Sequence, residues 1–237
     1  MLTGKKVLIF DMDGTLIDSV GIWNQVDEAL ISKIRSETAP QPENVQAQRD
    51  EALRRFSKAE NPYMEYCAFL KEKYDAAQSL DEIHTLRYQI AQELLRNEID
   101  YKQDADTLIR RLKERGYTLV IATTTKRSNM DIYRTGNARM MEKAKIDDYF
   151  TLVYTREDAK EIKPNPEIYL RVMKELGVSA EECLIFEDSL IGIEAAKNAG
   201  IQSVAVYDRY SDGEREQINA LADYRLKSYS KLLELLG

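Results

Sequence analysis

The fold is decided by residues 5–16, which read KKVLIFDMDGTL. The run Val7–Phe10 is short, unbroken and apolar, which is typical of a strand buried on both faces of a parallel sheet. Two carboxylates, Asp11 and Asp13, follow directly on a loop that contains Gly14. Asp and Gly are also common turn residues. Two acids placed straight after a fully buried strand nevertheless indicate a functional site at the end of that strand.

The second half of the chain alternates between predicted helices and predicted strands. Further strands are expected near Tyr117–Ile121, Thr151–Tyr154, Cys183–Phe186 and Gln202–Val206, with a weak last strand near Tyr224–Leu226. The accompanying helices are expected at Asp104–Arg115, Pro166–Leu176 and Ile191–Ala199. This alternation predicts an α/β fold with an open parallel, Rossmann-like sheet. Ligands of such sheets bind outside the carboxyl ends of the strands.

The segment between the first strand and the alternating region has a different character. It lacks glycine after Gly21, and its apolar periodicity predicts helices at Trp23–Ile34, Val45–Phe56, Pro62–Tyr74 and Leu80–Leu95. Pro40 and Pro42 separate the first two helices, and the Asn61-Pro62 pair is a typical helix start. We therefore expect an all-helical domain, residues 19–99, inserted into an α/β core of residues 1–18 and 100–237.

Composition and charge argue against several classes of function. Of the 237 residues, 43% are apolar, which is ample for a packed core. Forty-one acidic residues against 34 basic ones give a formal charge of -7 with no basic stripe, so we expect no nucleic-acid partner. No apolar stretch approaches the roughly 18 to 20 residues that span a bilayer, so we expect a cytoplasmic protein with no membrane partner. Two separated cysteines and one histidine, His84, argue against zinc sites and against cysteine-histidine or serine-histidine catalysis.

Polar side chains follow three further predicted strands. Residues 122–127, ATTTKR, offer hydroxyls and cations that suit an anionic ligand, although threonine also simply extends strands. Lys163 follows the next strand on a loop that two prolines stiffen, although a lone lysine is usually solvated. Glu187 and Asp188 follow the fourth strand, where acids would also favour the start of the next helix.

Together, the four strand ends describe a magnesium-dependent phosphoryl-transfer site. Hard carboxylate oxygens suit Mg²⁺, which takes part of its coordination shell from substrate phosphate. The phosphoryl oxygens need cations and hydrogen-bond donors around them. Because cysteine and histidine chemistry is disfavoured, a carboxylate nucleophile that forms an aspartyl-phosphate is the economical mechanism.

The motifs at these strand ends resemble the haloacid dehalogenase superfamily, specifically its phosphatase branch with a helical cap inserted after the first motif. Within it, the chain is similar to the β-phosphoglucomutase and phosphoglycolate phosphatase-like group. The motifs are DMDGTL at 11–16, Thr123, KPNP at 163–166, and EDS at 187–189 followed by GIEAAKNAG at 192–200. The resemblance covers nearly the whole chain.

The resemblance implies a role for each matching residue. Asp11 would be the nucleophile and Asp13 the general acid and then base, while Thr123 and Lys163 would hold the phosphoryl group. The implied Mg²⁺ ligands are Asp11, the main-chain carbonyl of Asp13, Asp188 and, directly or through water, Glu187. The helical insert would be the cap that closes over the site and contributes specificity.

Departures from the family pattern narrow the expected chemistry. Dehalogenases of the family lack an acid two residues after the nucleophile, and phosphonate-cleaving members commonly carry Ala there, so Asp13 favours phosphate-ester hydrolysis. Members resembling β-phosphoglucomutase carry a cap-hinge histidine about twelve residues after the nucleophile, where this chain has Trp23. This difference makes a mutase less expected. Leu190–Gly192 lacks the second acid of some family phosphatases, so Glu187 is expected to carry more of that role.

We therefore expect a Mg²⁺-dependent hydrolase of small phosphomonoesters such as sugar phosphates. The alternatives are a sugar phosphomutase and a non-catalytic phosphometabolite-binding protein. Thr123, Thr124, Lys126 and Trp23 are the candidate substrate-binding residues. Lys126 is equally well explained as a solvated cation, and Trp23 as an aromatic residue of the cap core. The expected partner is a small-molecule phosphate ester, and the expected state is a monomer, with a dimer as the alternative.

Overall fold

The computed structural model describes residues 1–56 and 59–236. The chain divides into two compact units, Met1–Val20 with Arg96–Gly237, and Gly21–Leu95, which we call the core unit and the helical unit. The predicted ranges 19–99 and 100–237 include residues 57, 58 and 237, which lie outside the described residues. The exact domain boundaries stay a prediction.

The core unit is built on a six-stranded parallel sheet with the strand order β3-β2-β1-β4-β5-β6. The strands are β1 (Val7–Phe10), β2 (Thr118–Ala122), β3 (Phe150–Tyr154), β4 (Cys183–Glu187), β5 (Ser203–Val206) and β6 (Tyr224–Leu226). All four residues of β1 are buried, as expected for a central strand covered on both faces. The predicted α/β fold class is confirmed.

The register of the sheet brings three strand ends together. Phe10 at the end of β1 pairs with Ile121 of β2 on one side and with Phe186 of β4 on the other. The residues that follow these three positions therefore emerge side by side at one edge. The strand order also reverses at β1, and open parallel sheets bind ligands at such a switch point.

The helical unit contains the four helices expected from its periodicity. They are α1 (Ile22–Ile34), α2 (Val45–Arg55), α3 (Pro62–Lys73) and α4 (Leu80–Asn97), the last of which continues into the core unit. Asn61 caps α3, since its side chain accepts the backbone N–H of Met64, and Pro62 occupies the first turn. Leu30, Tyr66 and other fully buried apolar side chains form the core of this unit.

The core unit surrounds its sheet with shorter helices. They are α5 (Ala105–Glu114), α6 (Arg127–Asp131), α7 (Ala138–Lys143), α8 (Ile146–Tyr149), α9 (Glu167–Leu176), α10 (Leu190–Asn198), α11 (Arg215–Leu221) and α12 (Tyr229–Leu236). A π-helical turn, Ile132–Gly136, joins α6 and α7. One face of the sheet packs on α9 and α10, with Ile9 and Ile185 in the same apolar cluster as Tyr169 and Ala195. Within the described part of the chain, none of the helices has the length and apolar composition needed to cross a membrane.

Candidate active site

The loop after β1 holds Asp11 at the edge of the sheet. The backbone N–H of Asp11 donates to the carbonyl of Phe186 at 3.0 Å, which extends the ladder with β4 by one residue. The loop then closes tightly, because the Met12 carbonyl accepts the N–H of Leu16 at 2.9 Å. Gly14 turns the chain with a φ of 76°, and a Cβ at this position would lie 2.7 Å from the carboxyl carbon of Asp188. The first and fourth motifs therefore meet at a point that admits only glycine without rearrangement.

Lys163 ties the ends of three strands together. Its buried ammonium donates to Asp11 Oδ1 at 2.6 Å, to Glu187 Oε1 at 2.6 Å and to the Ala122 carbonyl at 2.9 Å. The same Nζ atom lies 5.2 Å from the centre of the Tyr169 ring. The predicted lysine of the third motif is thus not a solvated surface residue, since only 3% of it is exposed.

Glu187 divides its two oxygens between Lys163 and the beginning of α10. While Oε1 pairs with the lysine, Oε2 accepts the backbone N–H groups of Asp188 and Ser189 at 3.0 and 3.1 Å. The Ser189 hydroxyl also donates to this oxygen at 3.0 Å and accepts the N–H of Gly192 at 3.2 Å. The side chain that caps α10 is therefore Ser189, and Glu187 orients the residues just before the helix.

Each oxygen of the Asp188 carboxylate accepts a hydrogen bond from a hydroxyl group. Thr15 donates to its Oδ1 at 2.8 Å, and Ser211 donates to its Oδ2 at 3.4 Å. Asp188 is only 4% exposed. Hydroxyl donors leave lone pairs of this carboxylate open to a cation.

The site contains more negative than positive charge. One oxygen each of Asp11, Glu187 and Asp188 lies within 4.8 Å of the other two, and Lys163 is the cation that contacts this cluster. Burial raises the pKa of Asp11 to about 7. The positive charge of Lys163 lowers this pKa, and the negative charge of Glu187 partly offsets that lowering. Burial and the neighbouring Glu187 and Asp11 also raise the pKa of Asp188 well above its usual value.

The same cluster of carboxylates favours the charged form of Lys163. Burial lowers the pKa of Lys163, but Asp11 and Glu187 outweigh it and hold that pKa well above the ordinary value. Lys163 therefore stays charged. A second cation beside the three carboxylates would offset the cost of burying their negative charges. Their hard oxygen donors are those that Mg²⁺ prefers. The residues present thus fit a divalent metal ion.

The side chain of Asp13 has hydroxyl groups as its partners. Its half-buried carboxylate accepts hydrogen bonds from the hydroxyls of Ser19 and Thr125, and the hydroxyl of Tyr133 lies 3.3 Å from Oδ1. Only the main-chain carbonyl of Asp13 belongs to the expected metal set. The two acids of the first motif thus occupy environments of different charge.

The four expected substrate-binding residues lie in different surroundings. Thr123 is buried, its N–H donates to the Tyr154 carbonyl at 3.0 Å, and its hydroxyl lies 3.0 Å from that of Thr125. Thr124 is half-buried beside it, and Lys126 is exposed just before α6. Trp23 belongs to α1 of the helical unit, where it packs against the core of that unit with the Arg87 guanidinium 5.5 Å above its ring.

Several residues that contact the site were not expected from the sequence. Thr15 and Ser211 contact Asp188, while Ser19 and Tyr133 contact Asp13. Thr125 belongs to the hydroxyl cluster that the sequence showed, although its contact with Asp13 was not foreseen. No sequence signal marked Tyr133, because the segment around it lacks a clear periodicity.

The chain matches the family of haloacid dehalogenase-like hydrolases over residues 8–206. It therefore belongs to this family, and the resemblance read from the four motifs is confirmed. The match extends from β1 to the end of β5, so it includes every strand end that contributes to the cluster around Lys163.

Two curated relatives are named as phosphatases, and one solved structure has the name of a mutase. A phosphorylated carbohydrates phosphatase from Thermotoga maritima is 28% identical over 213 residues, which cover 88% of each chain. A phosphoglycolate phosphatase from Pectobacterium atrosepticum is 28% identical over 244 residues, covering 100% of this chain and 94% of the relative. The crystal structure of a Thermotoga maritima protein provisionally assigned as a β-phosphoglucomutase aligns with a TM-score of 0.72 and 25% identity over 94% of each chain.

The share of a relative's own length that the match covers differs among the curated relatives, from 27% in one to 96% in another. Among the relatives that align along most of their length are a phosphorylated carbohydrates phosphatase, a phosphoglycolate phosphatase and a pyrophosphatase. The expected enzyme class, a phosphatase within a family of hydrolases, is thereby confirmed.

Proposed function

We propose that this protein is a Mg²⁺-dependent hydrolase of small phosphomonoesters that acts through an aspartyl-phosphate on Asp11. The observation that carries the proposal is the separation of the two acids of the first motif. Asp11 lies against Lys163 and two further carboxylates, whereas Asp13 lies among neutral hydroxyl groups. A nucleophile that must approach an anionic phosphoryl group needs neighbouring cations, and a proton donor does not.

The roles of the remaining residues follow from their positions. Asp11 attacks phosphorus while Asp13 donates a proton to the departing alcohol oxygen, and Asp13 then takes a proton from the water that hydrolyses the aspartyl-phosphate. Lys163 supplies positive charge to the phosphoryl oxygens, since its ammonium lies 2.6 Å from the attacking carboxylate. Thr123 supplies a buried hydroxyl directly after the end of β2, the neighbouring strand.

We assign the metal site to Asp11, Asp188, Glu187 and the main-chain carbonyl of Asp13. When bound, Mg²⁺ supplies charge neutralisation for the phosphoryl oxygens and for the buried carboxylates. Glu187 already pairs one oxygen with Lys163 and the other with three donors before α10, which favours Asp188 as the stronger of these two ligands.

A sugar phosphomutase is the second candidate, because structural similarity extends to a provisionally assigned β-phosphoglucomutase. The residue at position 23 argues against it, since the indole of Trp23 cannot transfer protons as the histidine of the resembling mutases does. A non-catalytic binding protein is disfavoured, because both acids of the first motif are present, Asp11 in contact with Lys163 and Asp13 in contact with Tyr133.

We further propose that the partner is a small phosphate ester and that the protein works in the cytoplasm as a monomer. A net charge of -7 disfavours nucleic acids as substrates. A panel of sugar phosphates, nucleotides and phosphoglycolate, assayed for phosphate release with Mg²⁺, would identify the preferred ester class. Isomerised sugar phosphate without phosphate release would instead support the mutase.

Replacement of Asp11 tests the nucleophile directly. We expect Asp11→Asn to abolish phosphate release from an aryl phosphate, because an amide is a poor nucleophile and a weaker metal ligand. The amide is nearly isosteric, so the circular dichroism spectrum should match that of the parent. Asp147→Asn is the matched control, since this carboxylate belongs to an exposed ion pair with Arg134. A folded Asp11→Asn variant that keeps more than a small part of the activity would remove Asp11 from this role.

A further inference from the structure

Three hydroxyl groups contact the carboxylate of Asp13, and they are distributed unequally between its two oxygens. Ser19 and Tyr133 both donate to Oδ1, whereas Thr125 donates to Oδ2. A carboxylate oxygen has two lone pairs in its plane. The hydrogen bonds therefore occupy both acceptor positions of Oδ1 and leave one position of Oδ2 open.

Tyr133 is a member of this set that the fold buries in a defined turn. It is 2% exposed and lies in the π-helical turn Ile132–Gly136, a type of turn that occurs frequently at functional sites. Its hydroxyl contacts Asp13, at 3.3 Å, and no other partner of that hydroxyl occurs among the described contacts. A phenol hydroxyl is neutral at physiological pH, so that of Tyr133 can donate to the Asp13 carboxylate.

We propose that Tyr133 is a positioning residue that fixes the carboxyl group of Asp13 so that Oδ2 exchanges the proton with the substrate. The inference rests on the function proposed above, in which Asp13 is the general acid. When the oxygen of Asp11 forms its bond to phosphorus, the bond from phosphorus to the alcohol oxygen breaks. The leaving oxygen keeps the electron pair and receives the proton from Oδ2 of Asp13.

This role predicts an effect that depends on the leaving group. A nitrophenolate departs with little help, while an alkoxide needs a proton as the bond breaks. The kcat/KM value includes only steps up to departure of the alcohol, so hydrolysis of the aspartyl-phosphate does not mask the effect. The ratio of kcat/KM for the aryl substrate to that for the alkyl substrate also cancels the concentration of active enzyme. Partial unfolding of a variant therefore does not change the ratio.

The experiment compares 4-nitrophenyl phosphate with an alkyl phosphate that the parent hydrolyses. In Tyr133→Phe we expect the aryl-to-alkyl ratio to rise about 10-fold, which is the typical effect of one hydrogen bond to a charged group. Tyr101→Phe is the matched control, because the Tyr101 hydroxyl is also buried but donates to the Ala144 carbonyl. The control should keep the parent ratio. A Tyr133→Phe ratio within about threefold of the parent ratio, well below the effect of such a bond, would overturn the inference.

A double-mutant cycle separates action through Asp13 from any other action. In Asp13→Asn, where the proton donor is absent, the additional Tyr133→Phe replacement should leave the aryl-to-alkyl ratio unchanged. A further rise in the double variant would show that Tyr133 acts elsewhere and would overturn the inference. If the parent releases no phosphate from any ester, the proposed function fails. If the parent is active and only Asp13→Asn changes the ratio, the function stands and the role of Tyr133 fails.

Discussion

At the scale of single residues, Gly14 sets the distance between the first and fourth motifs. The positive φ of Gly14 is unfavourable for any other residue, and a Cβ would lie 2.7 Å from the carboxyl carbon of Asp188. We predict that Gly14→Ala loses about 1 to 2 kcal/mol of stability through the backbone alone. We also predict that it loses most of its phosphatase activity, because Asp188 must shift. Urea denaturation and phosphate release at saturating Mg²⁺ measure the two effects separately.

Gly177 provides the control for the backbone effect of Gly14→Ala. Its φ is 64°, close to that of Gly14, but no atom lies within 4 Å of the position that a Cβ would take. Gly177→Ala should therefore lose similar stability and keep its activity. Equal loss of activity in both variants would show that backbone strain, and not the contact with Asp188, is responsible.

The sequence predicted the charged residues of the site more completely than their neutral partners. Asp11, Lys163 and Asp188 each follow a strand, so the geometry of a parallel sheet brings them to one edge. Tyr133 comes from a π-helical turn and Ser211 from a short 3₁₀ helix, both of which connect longer elements. Their approach to the site depends on how those segments fold over the sheet, and neither periodicity nor local composition encodes this.

At the scale of helices, one buried aspartate joins three helices of the helical unit. Asp27 of α1 accepts hydrogen bonds from Arg49 of α2 at 2.8 Å and from Arg87 of α4 at 2.9 Å. Asp27 is fully buried, and the side chains of the two arginines are only 11% and 9% exposed. We predict that Asp27→Asn destabilises this unit by about 3 kcal/mol, because it removes the buried negative charge to which both guanidinium groups donate.

The only tryptophan of the chain makes this prediction measurable. Trp23 also lies in α1, so its fluorescence during urea denaturation follows the helical unit. The control is Asp147→Asn, which removes one partner of the exposed pair with Arg134 and should change stability by less than about 1 kcal/mol. Similar midpoints for Asp27→Asn and the parent would contradict a stabilising role for the buried ion pairs.

The length of a helix affected whether the sequence could predict it. Helices such as α4, at 18 residues, and α1, at 13 residues, show their apolar face over several turns. Between β2 and β3 the sequence predicted no helices, whereas the structure contains α6, α7 and α8 of 5, 6 and 4 residues. Segments this short do not contain enough turns to show a helical period.

At the scale of the whole molecule, the order of motifs along the chain encoded the fold. A buried first strand, a helical insert and a run of alternating elements predict both units and the parallel sheet. The specificity of the enzyme is not encoded in the same way. The catalytic residues must satisfy the chemistry of phosphate, which is common to all esters, whereas the identity of the alcohol depends on a few contacts outside the four motifs.

The metal site should also contribute to the stability of the folded molecule. Three buried carboxylates lie close together and Lys163 pairs with only two of them, and a ligand that binds only the folded state stabilises it by mass action. At a Mg²⁺ concentration about 100 times the dissociation constant, the gain is about 2.7 kcal/mol. For a chain of this size that gain corresponds to a Tm increase of about 5 to 10 °C.

Circular dichroism melts with MgCl₂ or with NaCl at equal ionic strength measure this increase, since NaCl reproduces only the screening. Asp188→Asn should lose most of the Mg²⁺-specific increase, whereas Asp147→Asn should keep it. An equal increase in both variants would place the bound cation elsewhere and remove Asp188 from the metal site.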